Sequence, residues 1–304
     1  LTQQGALDEA RFSQVSIGDW LNAPITISGR GKGRPVAVSI AGGALDLRAA
    51  RFAGGGGETG PMSLRLDRLQ ITEGIALRDF RGDFSGLGGF SGAFTGKVNG
   101  GPEIRGTVVP QNGRSAVRLQ SADAGGVVGA AGFVKNGVGG ALDLTMLPVG
   151  AAGTFDGVLS VRDLRVRDAP SIAALLDAIS VVGLLRQLDG EGLAFDAVDA
   201  KFRLTPTQVI VTEASAVGPG LGISLDGIYT LASKQIDFQG VVSPFYLLNG
   251  IGSFLTRKGE GLIGFNFNLA GNAANPDVRV NPLSALTPGM FREIFRRPVP
   301  EVTQ

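Results

Sequence analysis

PSIAALLDAISVVGLLRQL, residues Pro170 to Leu188, is the one long stretch whose apolar residues recur at helical rather than strand spacing. Ile172, Leu175, Leu176, Ile179, Val182 and Leu185 follow steps of three and four, which places them on one stripe of a helix. Val181, Leu184 and Leu188 widen that stripe. The flanks agree: Asp168 or Ser171 offers an N-cap oxygen, Pro170 suits a first turn, and Gly190 supplies a stop. At 1.5 Å per residue such a helix is about 27 Å long. It fits two settings, a core helix covering one mouth or face of a sheet, or a helix lying on a membrane surface.

Working outward, everything on either side reads as β-strand punctuated by glycine. The 48 glycines serve hairpins, bulges and bends. Hydrophobic residues make up 43% and charged residues 18%, yet no run of about 18 apolar residues exists, so the apolar excess belongs on alternating strand faces. After the helix, Val198, Phe202 and Leu204 share a face, and Leu221, Ile223, Leu225, Tyr229 and Leu231 oppose Ser224, Asp226 and Thr230. Ile236, Phe238 and Val242 oppose Gln235, Asp237 and Gln239, while Ile263, Phe265, Phe267 and Leu269 oppose Asn266 and Asn268. Each strand thus has one oily face and one expected to be wet. Between the last two, Pro244 to Lys258 does not alternate and reads as a helical or looped crossover.

Before the helix, short strands recur about every ten residues, the spacing of an antiparallel meander, sandwich or barrel. Phe90 to Val98, FSGAFTGKV, alternates large and small on one face, as a concave wall requires. Leu64 and Leu66 change parity at Leu69 and Ile71, which predicts a bulge near Asp67 and Arg68, and Leu159 and Val161 repeat the slip at Leu164 and Val166; such kinks let the sheet curl. The Gly54–Gly57 run reads as an exposed tip. The expected fold is therefore mainly β: a long twisted antiparallel sheet curled into an open hydrophobic groove, with one amphipathic helix over about 170–188 and a short C-terminal helix. With no Pro- or Ser-rich linker, residues 1–298 read as a single elongated unit and 299–304 as a tail.

Much chemistry is missing from the chain. It has no histidine and no cysteine, which removes the usual general base, the Ser-His-Asp triad, thiolate catalysis and Cys-ligated zinc. The stretch ending at Lys97 lacks the first glycine and the final Ser or Thr of a phosphate loop, Ser91 and Val98 standing in their places. Asp79 with Asp83, and Asp196 with Asp199, are the carboxylate pairs close enough in sequence for acid/base work, and nothing else converges on them. A non-enzymatic protein without cofactor or metal is expected. Net charge is +1 with no basic run interleaved with aromatics, which argues against nucleic acid. The chain opens at Leu1 and reads as part of something longer.

DGIYTLASKQIDFQGVVSPFYLLNGIG (Asp226–Gly252) and GLIGFNFNLAGNAANPDVRVNPLSALTPGMFREIF (Gly261–Phe295) resemble the C-terminal region of AsmA-like proteins, the YhdP type most of all. GEGLAFDAVDAKFRL (Gly190–Leu204) fits the same pattern. The resemblance spans 153–298, with VNPLSALTPG (Val280–Gly289) its most specific part; residues 1–150 agree only in style. It implies a groove that shields phospholipid acyl chains between inner and outer bacterial membranes, in the periplasmic part of an inner-membrane-anchored protein, with an envelope protein partner at its end. Ile223, Leu225, Tyr229, Ile236, Phe238, Val242, Ile263, Phe265, Phe267 and Leu269 are then the groove lining.

At the chain's end Met290, Phe291, Ile294 and Phe295 form the apolar side of a short helix after Thr287 and Pro288, with Arg292, Arg296 and Arg297 beside them. Two placements fit: Phe291, Ile294 and Phe295 lie in a membrane surface with Arg296 and Arg297 on phosphates, or the aromatics plug the sheet's open end. Two other functions remain open at this stage, a biogenesis scaffold pairing its sheet edge with client strands, and a closed β-barrel holding a small apolar ligand.

Overall fold

The computed structural model describes residues 7–49, 59–86, 89–132, 136–167, 169–244, 258–261, 263–286 and 296–301. The protein is mainly β, as the alternation predicts. Its chain falls into two compact units, 1–121 with 130–132, and 122–129 with 133–304.

The first unit is built from β1 (Glu9–Ile17), β2 (Leu21–Ser28), β3 (Ala37–Ala41), β4 (Ala44–Asp46), β5 (Thr59–Gln70), β6 (Ala76–Gly86), β7 (Ser91–Val98), β8 (Glu103–Gln111) and β9 (Arg114–Ser121). β5 to β9 form an antiparallel meander. The expectation of an all-antiparallel sheet fails at β3 and β4, which pair antiparallel with β2 but parallel with β5, so the sheet is mixed. Gly42 and Gly43, both with positive φ, break that one path into two short strands.

Phenylalanines and glycines divide the apolar face of this meander between them. Phe94 lies opposite Gly82 on one side and Gly106 on the other, and Phe84 lies opposite Gly92. A Cβ at Gly106 would overlap the facing Phe94 ring and one at Gly92 the facing Phe84 ring, while one at Gly82 would strike Phe84 two residues along its own strand. The rings cover the bare glycine backbone and then meet one another, Phe80 to Phe94 at 5.4 Å and Phe84 to Phe90 at 4.9 Å between centroids. The alternation of large and small residues in FSGAFTGKV is the trace of this arrangement.

The two expected changes of parity both occur, and both use an aspartate in the left-handed region. Asp163 has φ +56°, between Val161 and Leu164, so both of those side chains are buried. In the other strand pair the irregular residue is not Asp67 or Arg68 but Asp79 on the neighbouring strand, with φ +51°. The β6–β7 register slips between Arg78 and Arg81, while β5 and β6 stay in register there. Asp tolerates this conformation better than most residues with a side chain, because its short polar group bonds locally.

The second unit contains α1 (Ala124–Ala130), β10 (Asn136–Val138), β11 (Ala141–Pro148), β12 (Phe155–Arg167), α2 (Pro170–Ala178), α3 (Val182–Asp189), β13 (Leu193–Leu204), β14 (Gln208–Val217), β15 (Leu221–Thr230), β16 (Gln235–Pro244), β17 (Phe265–Asn272) and β18 (Asn275–Asn281), then a 3-10 turn over Pro282–Leu286. β10 and β11 both pair with β12, and the remaining strands follow in chain order, all antiparallel. Among the described residues β18 pairs only with β17. The sheet therefore stays open, which removes the closed barrel.

The expected single helix over 170–188 is two. Ser180 adopts φ +58°, its N–H bonds to the carbonyl of Asp177 at 2.9 Å, and the N–H of Val181 reaches back to Leu176 at 3.0 Å. These are the paired bonds that close a helix through a left-handed residue just past its end. Glycine usually occupies that place, and a serine there hides the break from a reader of the sequence. At the other end the N-cap is Ala169, with no side-chain cap bond; Ser171 sits inside the helix, and Asp168 lies outside the described residues. The stop at Gly190 is where the sequence puts it. Gly54–Gly57, the crossover at 245–257 and the C-terminal helix with Phe291, Ile294 and Phe295 also lie outside the described residues.

Candidate functional site

Register places the apolar residues of β11 to β18 on one face, row by row. One row runs Leu142, Val161, Val198, Ala216, Ile223, Val242 and Phe265, each paired with the next across neighbouring strands. A second runs Leu144, Leu159, Ala200, Ala214, Leu225, Gly240, Phe267 and Val280. A third pairs Tyr229 with Ile236. Glycine again lies beneath aromatic rings: Gly157 under Phe202, Gly227 under Phe238, Gly240 under Phe267.

This face is concave. One cavity of about 250 Å³ touches Leu164 of β12, Phe195 of β13, Ala214 of β14, Leu225 of β15, Leu269 of β17 and Leu175 of α2. Laid flat, β12 and β17 would stand about 24 Å apart at the usual strand spacing. That one cavity is lined by residues of both strands fits a sheet that curls around it. α2 roofs it and packs on β18, while α3 lies beside it against β12 and β13.

Of the residues expected on the helix stripe, Leu175 and Leu176 are buried and Ile172, Ile179 and Leu185 are partly buried against the core. The side chain of Val182 lies outside the described ones. In α3 the fully buried positions are Leu184 and Leu188, because the turn at Ser180 resets the helical phase. The groove residues divide in the same way. Ile223, Ile236, Val242, Phe267 and Leu269 are buried; Leu225, Tyr229, Phe238 and Phe265 are half-buried. Ile263 is a correction: it precedes β17, is 52% exposed, and takes no part in the face, since the chain enters the strand only at Phe265.

On the opposite face the expectation of a wet surface holds for Gln235, Asp237 and Asn268, which are exposed, and fails at the centre. Ser224, Asp226, Gln239, Ser243 and Asn266 are all buried, Asp226 to 1% exposure. Two stretches distant in sequence cover them. In the first, Lys258 pairs with Asp199, the Glu260 carboxylate accepts from the Ser224 hydroxyl at 2.5 Å, and the Gly261 N–H donates to Ser243 Oγ at 2.9 Å. Gly259, with φ +88°, lies so close to the backbone of Ile223 that no Cβ fits there. In the second, the Arg296 guanidinium, 4% exposed, binds Asp226 at 2.5 Å and Glu260 at 2.7 Å. Gln239 ties down the next residue, donating to the Arg297 carbonyl and accepting its N–H, while Arg297 forks onto Asp237 at 2.7 and 3.0 Å.

The arginines expected on lipid phosphates are therefore engaged elsewhere. A guanidinium enclosed by two carboxylates has no free edge for a headgroup, and Arg296 is a structural clamp. The Arg297 hydrogen bond holds the Asp237 carboxyl below the usual carboxylate range despite partial burial. At Asp199 burial pushes the carboxyl up, but bonds from Lys258, Arg162 and Ser160 outweigh it and the net shift is downward. Sequence reasoning missed this network because Glu260 and Arg296 come from 36 and 70 residues beyond their partners on β15. The available signal was composition: Ser224, Val241 and Ser243 are small or apolar residues on a face taken to be solvated.

The carboxylate pairs do not assemble acid/base machinery. Asp79 pairs with Lys97, Asp83 with Arg65, and Asp199 with Arg162 and Lys258, each neutralised separately. Among the described residues no three His, Cys, Asp or Glu side chains gather as metal ligands would. The geometry defines a concave apolar sheet face, roofed at one place by α2 and backed by a buried polar layer. No protein-family model, curated protein or solved structure matches this chain.

Proposed function

We propose that the concave apolar face of the second unit binds lipid acyl chains and forms one segment of a phospholipid-transfer conduit of the AsmA-like, YhdP type, in the periplasm of two-membrane bacteria. The observation that carries this is the incomplete burial of Leu225, Tyr229, Phe238 and Phe265 on a curled face whose neighbouring rows are fully apolar. An acyl chain of about 16 carbons gains on the order of 13 kcal/mol when its methylenes leave water. The 250 Å³ cavity under α2 lies below the ~300–1,000 Å³ of closed ligand pockets, so a two-chain lipid has to extend along the open face. Chain sliding over such a surface needs no catalytic group. Phospholipid is the ligand; a membrane surface and an envelope protein are the partners this role requires.

Native mass spectrometry of the purified chain tests the proposal. Copurifying phospholipid that is lost in Phe238→Asp and Phe265→Asp, with the β circular-dichroism signal kept, supports it. A lipid-free native chain that takes up no lipid from detergent micelles overturns it.

A further inference from the structure

The first unit carries a second hollow, on the polar face of its meander. Register sets Arg81, Thr95, Arg105 and Gln120 side by side on β6, β7, β8 and β9, and Asp83, Ala93, Thr107 and Arg118 in the adjoining row. These residues enclose a depression of about 470 Å³. Phe94 and Gly106 line it too, and Ala93, exposed and short beside Arg81, Arg105 and Arg118, leaves room between the longer side chains. Arg81 and Arg105 stand two strands apart, about 10 Å between backbones, with Thr95 between them in the lining.

The charge is not balanced. Asp83 accepts from Arg65 and Ser63, and Asp79 from Lys97. Glu103 stands 3.6 Å from Arg105, a loose contact. Among the described residues Arg81 forms no ion pair, so cations on this face outnumber carboxylates. Guanidinium forks flanking hydroxyl groups are what a phosphate dianion takes up: bidentate N–H donors and a neutral donor between them.

We propose that this hollow is a binding site for a phosphate group, Arg81 and Arg105 holding it from two sides, Thr95 donating from between them and Arg118 adding charge from the neighbouring row. It is independent of the acyl-chain face. The same chemistry is offered by a lipid headgroup and by a free phosphorylated compound.

Calorimetric titration of the whole chain with pyrophosphate at low salt, beside flotation with phosphatidylglycerol or phosphatidylcholine vesicles, tests it. Arg81→Gln with Arg105→Gln is expected to weaken pyrophosphate binding at least about tenfold, the scale of one lost charged hydrogen bond. Ala93→Leu, which fills the hollow and leaves every charge in place, is expected to do the same. Arg279→Gln, an exposed arginine on β18, leaves binding unchanged. Flotation on phosphatidylglycerol that Ala93→Leu abolishes assigns the phosphate to a headgroup; pyrophosphate binding without flotation assigns it to a soluble ligand. Native-like binding by Ala93→Leu, equal weakening by Arg279→Gln, or no binding of either probe overturns the site. Thermal unfolding of each variant, all at exposed positions, separates lost binding from lost folding.

Discussion

At its centre on β15 and β16 the charged face is as dry as the oily face behind it, although Gln235, Asp237 and Asn268 at its margin stay exposed. Asp226, Gln239 and Ser224 are sealed under Glu260 and Arg296, while Leu225, Phe238 and Phe265 on the other side stay half open. Polarity decides which side a residue takes, but not which side meets water. A buried polar face is tolerable because its carboxylates, amide and hydroxyl groups find one another; burying them unpaired would cost several kcal/mol each. An apolar face left partly open is the costlier choice for a protein with no use for it, which is why the open face is where function is sought.

The largest effect that would break this comparison is expected from Arg296→Met. Removing the guanidinium strands two carboxylates in a dry site, and a loss of about 3–5 kcal/mol is expected in urea unfolding. Replacing the triad together, Asp226→Leu, Glu260→Met and Arg296→Met, should recover most of it. A single variant as stable as the native chain would mean that water reaches the network.

Phe238→Asp is the matching change on the open face. Because the ring is only half buried, a loss of about 1–2 kcal/mol is expected, smaller than for Arg296→Met, while lipid copurification falls severalfold. Should Phe238→Asp unfold the chain outright, the two faces are not different in kind.

Ser180→Gly tests the roof. Relieving the left-handed serine is expected to raise stability by about 0.5–1 kcal/mol, read as a higher unfolding midpoint. A fall would show that the Ser180 side chain contributes more than its backbone costs.

The smallest effect lies at the rim of the polar face. The Asp237 carboxyl sits below its unfolded value, so the stability it contributes is present above about pH 4 and is lost as pH falls through the lower folded value. Asp237→Asn should flatten that acid limb by well under 1 kcal/mol, since the pair is more than half exposed. An unchanged acid profile would move the titration to other carboxylates, Asp199 first.

How much of this was legible follows the length scale of each cause. Strand faces are local, and alternation places Ile223, Phe238 and Phe267 on one side without a neighbour being known. The slip at Asp163 is legible too, since an apolar pair changing parity within one strand demands an irregularity. The break at Ser180 is local but chemically disguised. The clamp on Asp226 has no local trace, and the crossed pairing of β3 and β4 depends on where β5 arrives. Of the candidate site, the apolar rows could be read; the layer behind them, and the turn that ends their roof, could not.

The span from Asp226 to Arg296 also has a consequence in time. A ribosome adds about 5–20 residues per second, so strand β15 emerges several seconds before the arginine that neutralises it. Until then Asp226 and Ser224 have to stay hydrated, and β15 to β17 cannot be sealed on that side. The nascent sheet is thus held open until that tie is synthesised, and a chain stopped short of residue 296 should be more prone to proteolysis and edge-to-edge association than one that includes it.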